Sequence, residues 1–149
     1  MDLQERLDRD LRKAIRELDV LRRSVLRLIR SEVHNEEIAL QKPLDDRGII
    51  GVISKQVRQR RESIYEFRRG KREDLVEREE ADLTILLEYL PTQLTTEELT
   101  DLVHRVVQQL GARGLGDKGK VMGELMPQIK GRAEGSVVNE VVSKLLEAL

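Results

Sequence analysis

The chain has 149 residues, with 27 Lys and Arg against 28 Asp and Glu, a formal net charge of −1. It contains no Cys, no Trp, two Tyr and one Phe, which excludes a disulfide scaffold, thiolate metal sites and a Cys nucleophile. No apolar run approaches the roughly 18 residues of a membrane span, and the charged start MDLQERLDRDLRK is not a secretory signal. The expectation is a cytoplasmic helical protein with an aliphatic core and no membrane partner. Charge is uneven: residues 1–80 carry +2 and residues 81–149 carry −3. A nucleic-acid site would therefore be a local patch rather than a bulk property.

In chain order, Leu3, Leu7, Leu11, Ala14, Ile15 and Leu18 recur at spacings of three and four, which predicts an amphipathic helix over residues 3–18. Arg6, Arg9, Arg12, Lys13 and Arg16 fall on its far side. Asp19 is placed to cap a second helix with Leu21, Val25, Leu28 and Ile29 inward, fading near Leu40 before Lys42-Pro43. So short a connection implies an antiparallel hairpin. Asp45 or Asp46 caps a third helix with Ile49, Ile53, Val57, Ile64 and Phe67 inward. The run RRGKRED (68–74) reads as a turn at its glycine. A fourth helix follows with Leu75, Leu83, Leu86 and Leu90 inward, stopped by Pro91.

The segment YLPTQLTTEEL (89–99) marks a boundary, because Pro91 is followed by Thr95-x-x-Glu98, a capping box. A fifth helix uses Leu99, Leu102, Val106 and Leu110 and ends at Gly111. After the Gly-rich stretch GARGLGDKGK (111–120), Asp117 is placed to cap a sixth helix through Val121, Met122, Leu125 and Met126. Gly131 ends it, and a last helix starts at Ser136. The expected fold is all-α: a four-helix N-terminal subdomain over 1–90 and a smaller three-helix tail subdomain over 91–149.

Two helices carry an off-pattern charge. Arg60 falls on the apolar stripe of the third helix and Glu79 on that of the fourth. Neither charge is tolerated alone in a core, and the two lie at comparable heights from the turn, so a buried or half-buried ion pair is predicted.

The Gly-rich stretch is the strongest chemical signal. Gly114-Leu-Gly116-Asp-Lys-Gly119 matches G-x-G-x-x-G, and Gly114-x-x-x-x-Gly119-Lys120 matches most of a P-loop. Both motifs need a strand before them, whereas a helix is predicted there, and Val121 stands where a P-loop has Ser or Thr. An interhelical loop, or a loop that contacts nucleic-acid phosphate through its backbone, are the readings left. His34 and His104 are isolated, no metal-ligand spacing or catalytic motif accompanies them, and no cofactor is implied. Lys55, Arg58, Arg61, Arg68, Arg69, Lys71 and Arg72 form a secondary basic patch on the third helix and its turn, either a solvated face paired with Glu62, Glu66 and Glu73 or a phosphate contact. The scarcity of aromatics argues against base stacking on single strands, and shape-based recognition of folded RNA escapes that objection.

Three segments carry a family resemblance in combination: LRRSVLRLIRSEVHNEE (21–37), KQVRQRRESIYEFRRGKREDLVEREEADLTILLEYLPTQLTTEEL (55–99) and DKGKVMGELMPQIKGRAEGSVVNEVV (117–142). Over essentially its whole length the chain resembles the YqeY-like family. That family is similar to the C-terminal helical and tail regions of GatB, the B subunit of glutamine-dependent tRNA amidotransferase. The resemblance implies an all-helical protein in two subdomains and a tail that contacts tRNA. The positions it carries over are Gly119, Lys120, Gly123, Lys130 and Gly131.

Three functional readings follow. In the first, the chain is a tRNA or structured-RNA accessory module without its own active site. Lys118, Lys120, Lys130 and Arg132 would meet phosphate, and Gly119, Gly123 and Gly131 would allow close backbone approach. In the second, it is a component of amide transfer, a carbon–nitrogen ligase with glutamine as amido donor, and depends on a partner subunit for the chemistry. In the third, it is a helical protein-interaction module with no RNA role.

Overall fold

In a computed structural model describing residues 1–149, the chain is seven α-helices and one short 3-10 turn, with no strands. It divides into two compact units, Met1–Leu90 and Pro91–Leu149. The first unit holds α1 (Leu3–Arg16), α2 (Val20–Leu40), α3 (Asp46–Arg69) and α4 (Glu73–Leu87). The second holds α5 (Thr96–Leu110), a 3-10 turn (Leu115–Asp117), α6 (Lys118–Ile129) and α7 (Gly135–Glu147).

The first unit's core is aliphatic. Leu7 and Leu11 of α1, Leu26 and Ile29 of α2, Ile49 and Ile53 of α3, and Leu86 of α4 are buried in one cluster, closed by Tyr89 just past α4. Side-chain carboxylates start the helices. Asp2 accepts from the Glu5 N–H at 2.8 Å and Asp19 from the Arg22 N–H at 3.1 Å. Of the two candidates for α3, Asp45 is the cap, accepting from the Gly48 N–H at 2.9 Å. Asp46 reaches instead to the Leu3 N–H at 3.0 Å, satisfying a second free donor at the start of α1.

Several expected details are corrected. α1 stops at Arg16, two residues early, because Leu18 turns left-handed with φ 56° and the Asp19 N–H returns to the Ala14 carbonyl. Ile15 and Leu18 are therefore exposed rather than part of the inward stripe. On α2, Leu21 is exposed and Leu26, unassigned by the stripe, is fully buried. At the α3–α4 turn the left-handed residue is Lys71, with φ 57°, and Gly70 has an ordinary negative φ of −81°. α4 ends at Leu87, well before Pro91, because the amides of Glu88, Tyr89 and Leu90 tighten into three-residue turns. Its fully buried residues are Val76, Ile85 and Leu86, with Leu75, Leu83 and Leu90 half-buried. In the second unit, Leu110 is exposed and Val103 takes the buried position on α5. α7 begins at Gly135 rather than Ser136.

Two polar clamps set the first unit's register. Arg60 Nη1 lies 3.3 Å from Glu79 Oε2, and its Nε lies 3.8 Å from Asp82, an additional carboxylate that the helical pattern did not single out. All three side chains are about one-fifth exposed, so the cluster is half-buried. At the other clamp the Tyr89 hydroxyl donates to Asp10 at 2.7 Å and accepts from Arg22 at 3.4 Å. Arg22 also grips Glu88 through both terminal nitrogens, at 2.6 and 3.2 Å. The Arg6 guanidinium covers the Tyr89 ring at 4.7 Å and donates to the Glu88 carbonyl. Burial, then the hydrogen bond to Asp10, push the Tyr89 hydroxyl up to about 12. Burial alone would raise Asp10, and the hydrogen bonds from Tyr89 and Arg9 overcome it and leave its carboxyl below the usual value.

The second unit packs Val103 and Val106 of α5, Val121, Leu125 and Ile129 of α6, and Val138, Val142 and Leu146 of α7 into its own aliphatic cluster. Thr95 caps α5 by accepting from the Glu98 N–H at 3.1 Å. Gly111, with φ 63°, ends that helix in the left-handed region where a Cβ would be strained.

Replacing Arg60 with Met should cost about 1–3 kcal/mol, between the values for exposed and fully buried pairs, because it strands two carboxylates. Urea denaturation measures it, and a change within experimental error would show that the cluster is solvated. Tyr89→Phe should cost about 1–3 kcal/mol by removing the donor to a charged carboxylate. The folded hydroxyl titrates above the ordinary Tyr value of 10.0, so its contribution is complete below pH 10 and is lost as pH rises towards 12. Wild type should therefore lose more stability than Tyr89→Phe across that interval. The lowered Asp10 acts with the opposite sign, its contribution present above about pH 3.8 and lost on further acidification.

Candidate nucleic-acid interface

The seven tail residues expected to meet RNA all belong to α6 and its ends. The stretch before α6 is shaped by Asp117, which does not cap the helix as expected. Its Oδ2 accepts from the Arg113 N–H at 2.9 Å, closing the Gly-rich loop on itself, and no side chain caps α6. The motif Gly114-Leu-Gly116-Asp-Lys-Gly119 follows helix α5, not a strand, so it lacks the setting of a dinucleotide or P-loop site.

Lys118, Gly119 and Lys120 form the first turn of α6, and Gly123 lies one turn further on. Gly119, Lys120 and Gly123 are exposed and Lys118 is half-exposed. A Cβ built on Gly116, Gly119 or Gly123 would meet no atom within 4 Å. Packing within the chain therefore gives no reason for glycine there, although each helical glycine costs about 1 kcal/mol relative to Ala. Pro127 lies inside α6 and has no N–H to return to the Gly123 carbonyl four residues earlier. This turn thus presents bare main chain beside two lysines.

The other end of α6 is different. Lys130 is exposed, about 15 Å along the helix from Lys120 at 1.5 Å per residue. Gly131 is buried with φ 79°, and its carbonyl accepts from Gln93 Nε2 at 2.6 Å. The Arg132 carbonyl accepts from the Leu94 N–H at 2.8 Å, and its Nε donates to the Thr92 carbonyl at 3.1 Å. Gly131 and Arg132 thereby fasten the extended stretch 91–94 to the end of α6.

On the secondary basic patch, most cations already have neighbours. Arg58 lies 3.9 Å from Glu62, Arg68 3.0 Å from Glu80, Arg69 3.8 Å from Glu66, and Arg72 3.1 Å from Asp74. Arg61 is also engaged, and Lys55 and Lys71 are exposed. An open groove of about 490 Å³ runs between α3 and α4, lined by Arg61, Ile64, Tyr65, Arg68, Arg69, Glu80 and Leu83. His34 and His104 are both exposed, and no three His, Asp or Glu side chains are grouped to hold a metal ion. Pairing with Glu62 and Glu66 is as the sequence reading gave it, whereas Arg72 takes Asp74 rather than Glu73, and Arg68 pairs with Glu80 because α4 brings that carboxylate opposite.

Residues 4–146 match the family described as YqeY, Yqey-like protein. Among curated proteins, the chain is similar to "Altered inheritance of mitochondria protein 41, mitochondrial" of Pyrenophora tritici-repentis, with 37% identity over 145 residues, 95% of this chain and 77% of that protein. The protein of the same name from Saccharomyces cerevisiae strain YJM789 is 33% identical over 123 residues, 80% of this chain and 66% of that protein. That of Lachancea thermotolerans is 41% identical over 91 residues, 60% and 49% of the two chains. The matches thus span about half to three quarters of the length of these relatives. They overturn the expectation of a cytoplasmic protein, because relatives matching most of the chain are named mitochondrial. That expectation rested on the lack of a secretory signal and of an apolar span, neither of which distinguishes the cytosol from the interior of an organelle.

Gly131→Ala should cost about 1–2 kcal/mol, because a Cβ is strained in the left-handed region at φ 79°. Chemical denaturation measures it, and unchanged stability would show that the end of α6 relaxes freely.

Proposed function

The chain belongs to the YqeY-like family, and from that membership we propose that it is an accessory module that binds tRNA or a similarly folded RNA without an active site of its own. The observation that supports this reading is the first two turns of α6. Exposed glycines there have no packing role in the chain, and they stand beside Lys118 and Lys120. Glycines let a phosphate–sugar backbone come close to the main chain, and lysines supply the compensating charge. Lys130 extends the basic surface along the same helix, while Gly131 and Arg132 hold the end of α6 in position for it. Recognition of this kind reads backbone shape rather than bases, in keeping with the few aromatic residues. Amide-transfer chemistry, in this reading, belongs to other proteins.

The test is a salt-dependent titration against bulk tRNA and duplex DNA. Lys120→Ala and Lys130→Ala should weaken binding to different tRNAs alike and flatten the salt slope by about one for each phosphate no longer neutralised. Unchanged affinity in both variants rejects the site. Gly119→Ala and Gly123→Ala should stabilise the fold by about 1 kcal/mol each, since the added Cβ has open space, yet weaken RNA binding. Greater stability with undiminished affinity would remove the glycines from the interface.

A further inference from the structure

The turn between α1 and α2 combines three features. The first is apolar exposure. Ile15, Leu18, Val20 and Leu21 crowd around one short connection and are 42%, 77%, 61% and 40% exposed. The second is backbone strain. Leu18 occupies the left-handed region at φ 56°, where a non-glycine residue costs roughly 1–2 kcal/mol. It recovers none of that cost by burial. The third is charge. Residues 12–23 carry five cations, of which Arg22 is held by Glu88, so four cations face the two carboxylates Glu17 and Asp19, a local +2 in a chain of net −1. Arg12, Lys13, Arg16 and Arg23 have no ion pair or side-chain hydrogen bond within the chain, in contrast to the paired arginines of α3.

We propose that this turn is a peripheral docking tip for an anionic phospholipid surface. Leu18 and Val20 enter the boundary between headgroups and acyl chains. Arg16, Lys13 and Arg12 sit two to six residues back from Leu18 and Arg23 three from Val20, roughly 3–9 Å at 1.5 Å per residue. Those offsets overlap the depth of about 5–10 Å to which interfacial apolar side chains bury, so the cations reach the headgroup phosphates. Nucleic acid would use the cations and leave the aliphatic tip in water. A second copy of the chain fits less well, because four apolar side chains at one turn fall far short of the roughly 20–30 residues per side of a stable protein interface. No helix is long and apolar enough to cross a membrane, and an interfacial tip needs none. The proposal is independent of the RNA reading, which uses α6.

The experiment is co-sedimentation of the full chain with extruded vesicles of phosphatidylcholine alone or mixed with phosphatidylglycerol, at low and near-physiological ionic strength. Binding is expected on the anionic vesicles only, weakening with salt. Arg12→Gln and Arg16→Gln should each lower partitioning about five-fold, the equivalent of about 1 kcal/mol per cation near an anionic membrane. Leu18→Asn with Val20→Ser should lower it at every salt concentration while circular dichroism stays unchanged, since Asn tolerates the left-handed region. Because the chain has no cysteine, a polarity-sensitive fluorophore on Leu18→Cys reports insertion by a blue shift on anionic vesicles. No binding of wild type to anionic vesicles, or no blue shift, overturns the proposal. So does a drop in tRNA affinity in the arginine variants with vesicle binding intact, which would give the surface to nucleic acid. Concentration-dependent dimerisation abolished by Leu18→Asn, with no vesicle binding, would give it to a second copy.

Discussion

The first unit depends on the Tyr89 hydroxyl. Its core is built almost wholly from Leu, Ile and Val, whose non-directional contacts leave freedom in the register of the helices. Tyr89 removes that freedom. One phenol, buried at the end of α4, reaches Asp10 on α1 and Arg22 on α2, while Arg6 covers its ring. A slip of α4 by one residue would break every one of these interactions and strand Asp10, whose burial is tolerated because Tyr89 and Arg9 donate to it. Arg60, Glu79 and Asp82 play the same part nearer the α3–α4 turn. Polar groups thus supply the directionality that an aliphatic core lacks.

Conformational strain and glycine are distributed in an unexpected way. In the first unit three helices close on left-handed residues that are not glycine, namely Leu18, Gln41 and Lys71. The second unit uses Gly111 and Gly131 at its corresponding ends. Meanwhile Gly119 and Gly123 sit inside α6, where Ala would be more favourable. Stability is surrendered at a few exposed positions, some of them ordinary helix ends such as Gln41 and Lys71 and others within the surfaces proposed above. Leu18 and the α6 glycines are the two clearest cases, and they have different chemistry: an aliphatic tip ringed by arginine, and bare backbone beside lysine.

Charge counting along the sequence pointed to α3, where Lys55 to Arg72 is dense in cations. In the folded chain much of that charge is neutralised locally, through Glu62 and Glu66 on the same helix and Glu80 on the next. Cations without a partner include Arg12, Lys13 and Arg16 of α1 and Arg23 of α2, in a stretch that reads in sequence as an ordinary solvated face. A cation's availability depends on its three-dimensional neighbours, and on a solvated face the pairs most visible in sequence are those three or four apart on one helix.

Local sequence chemistry determined the helices, most of their caps and much of the core. Asp19 and Thr95 cap where their spacing predicts, and Gly111 ends α5. Even the long-range pair Arg60–Glu79 was legible, because a charge on an apolar stripe demands a partner and the short turn limited the candidates. The tertiary structure decided what depends on packing between helices. Tyr89 became a core residue because α4 stops at Leu87 and tightens, and the Asp46 side chain, at the start of α3, reaches across to the first turn of α1. Asp117 closed a loop rather than a helix, and Gly131 and Arg132 were drawn into fastening the stretch 91–94. The division follows the range of the forces: capping and periodicity act within about one helical turn, whereas burial, pairing and availability depend on which distant segment arrives opposite.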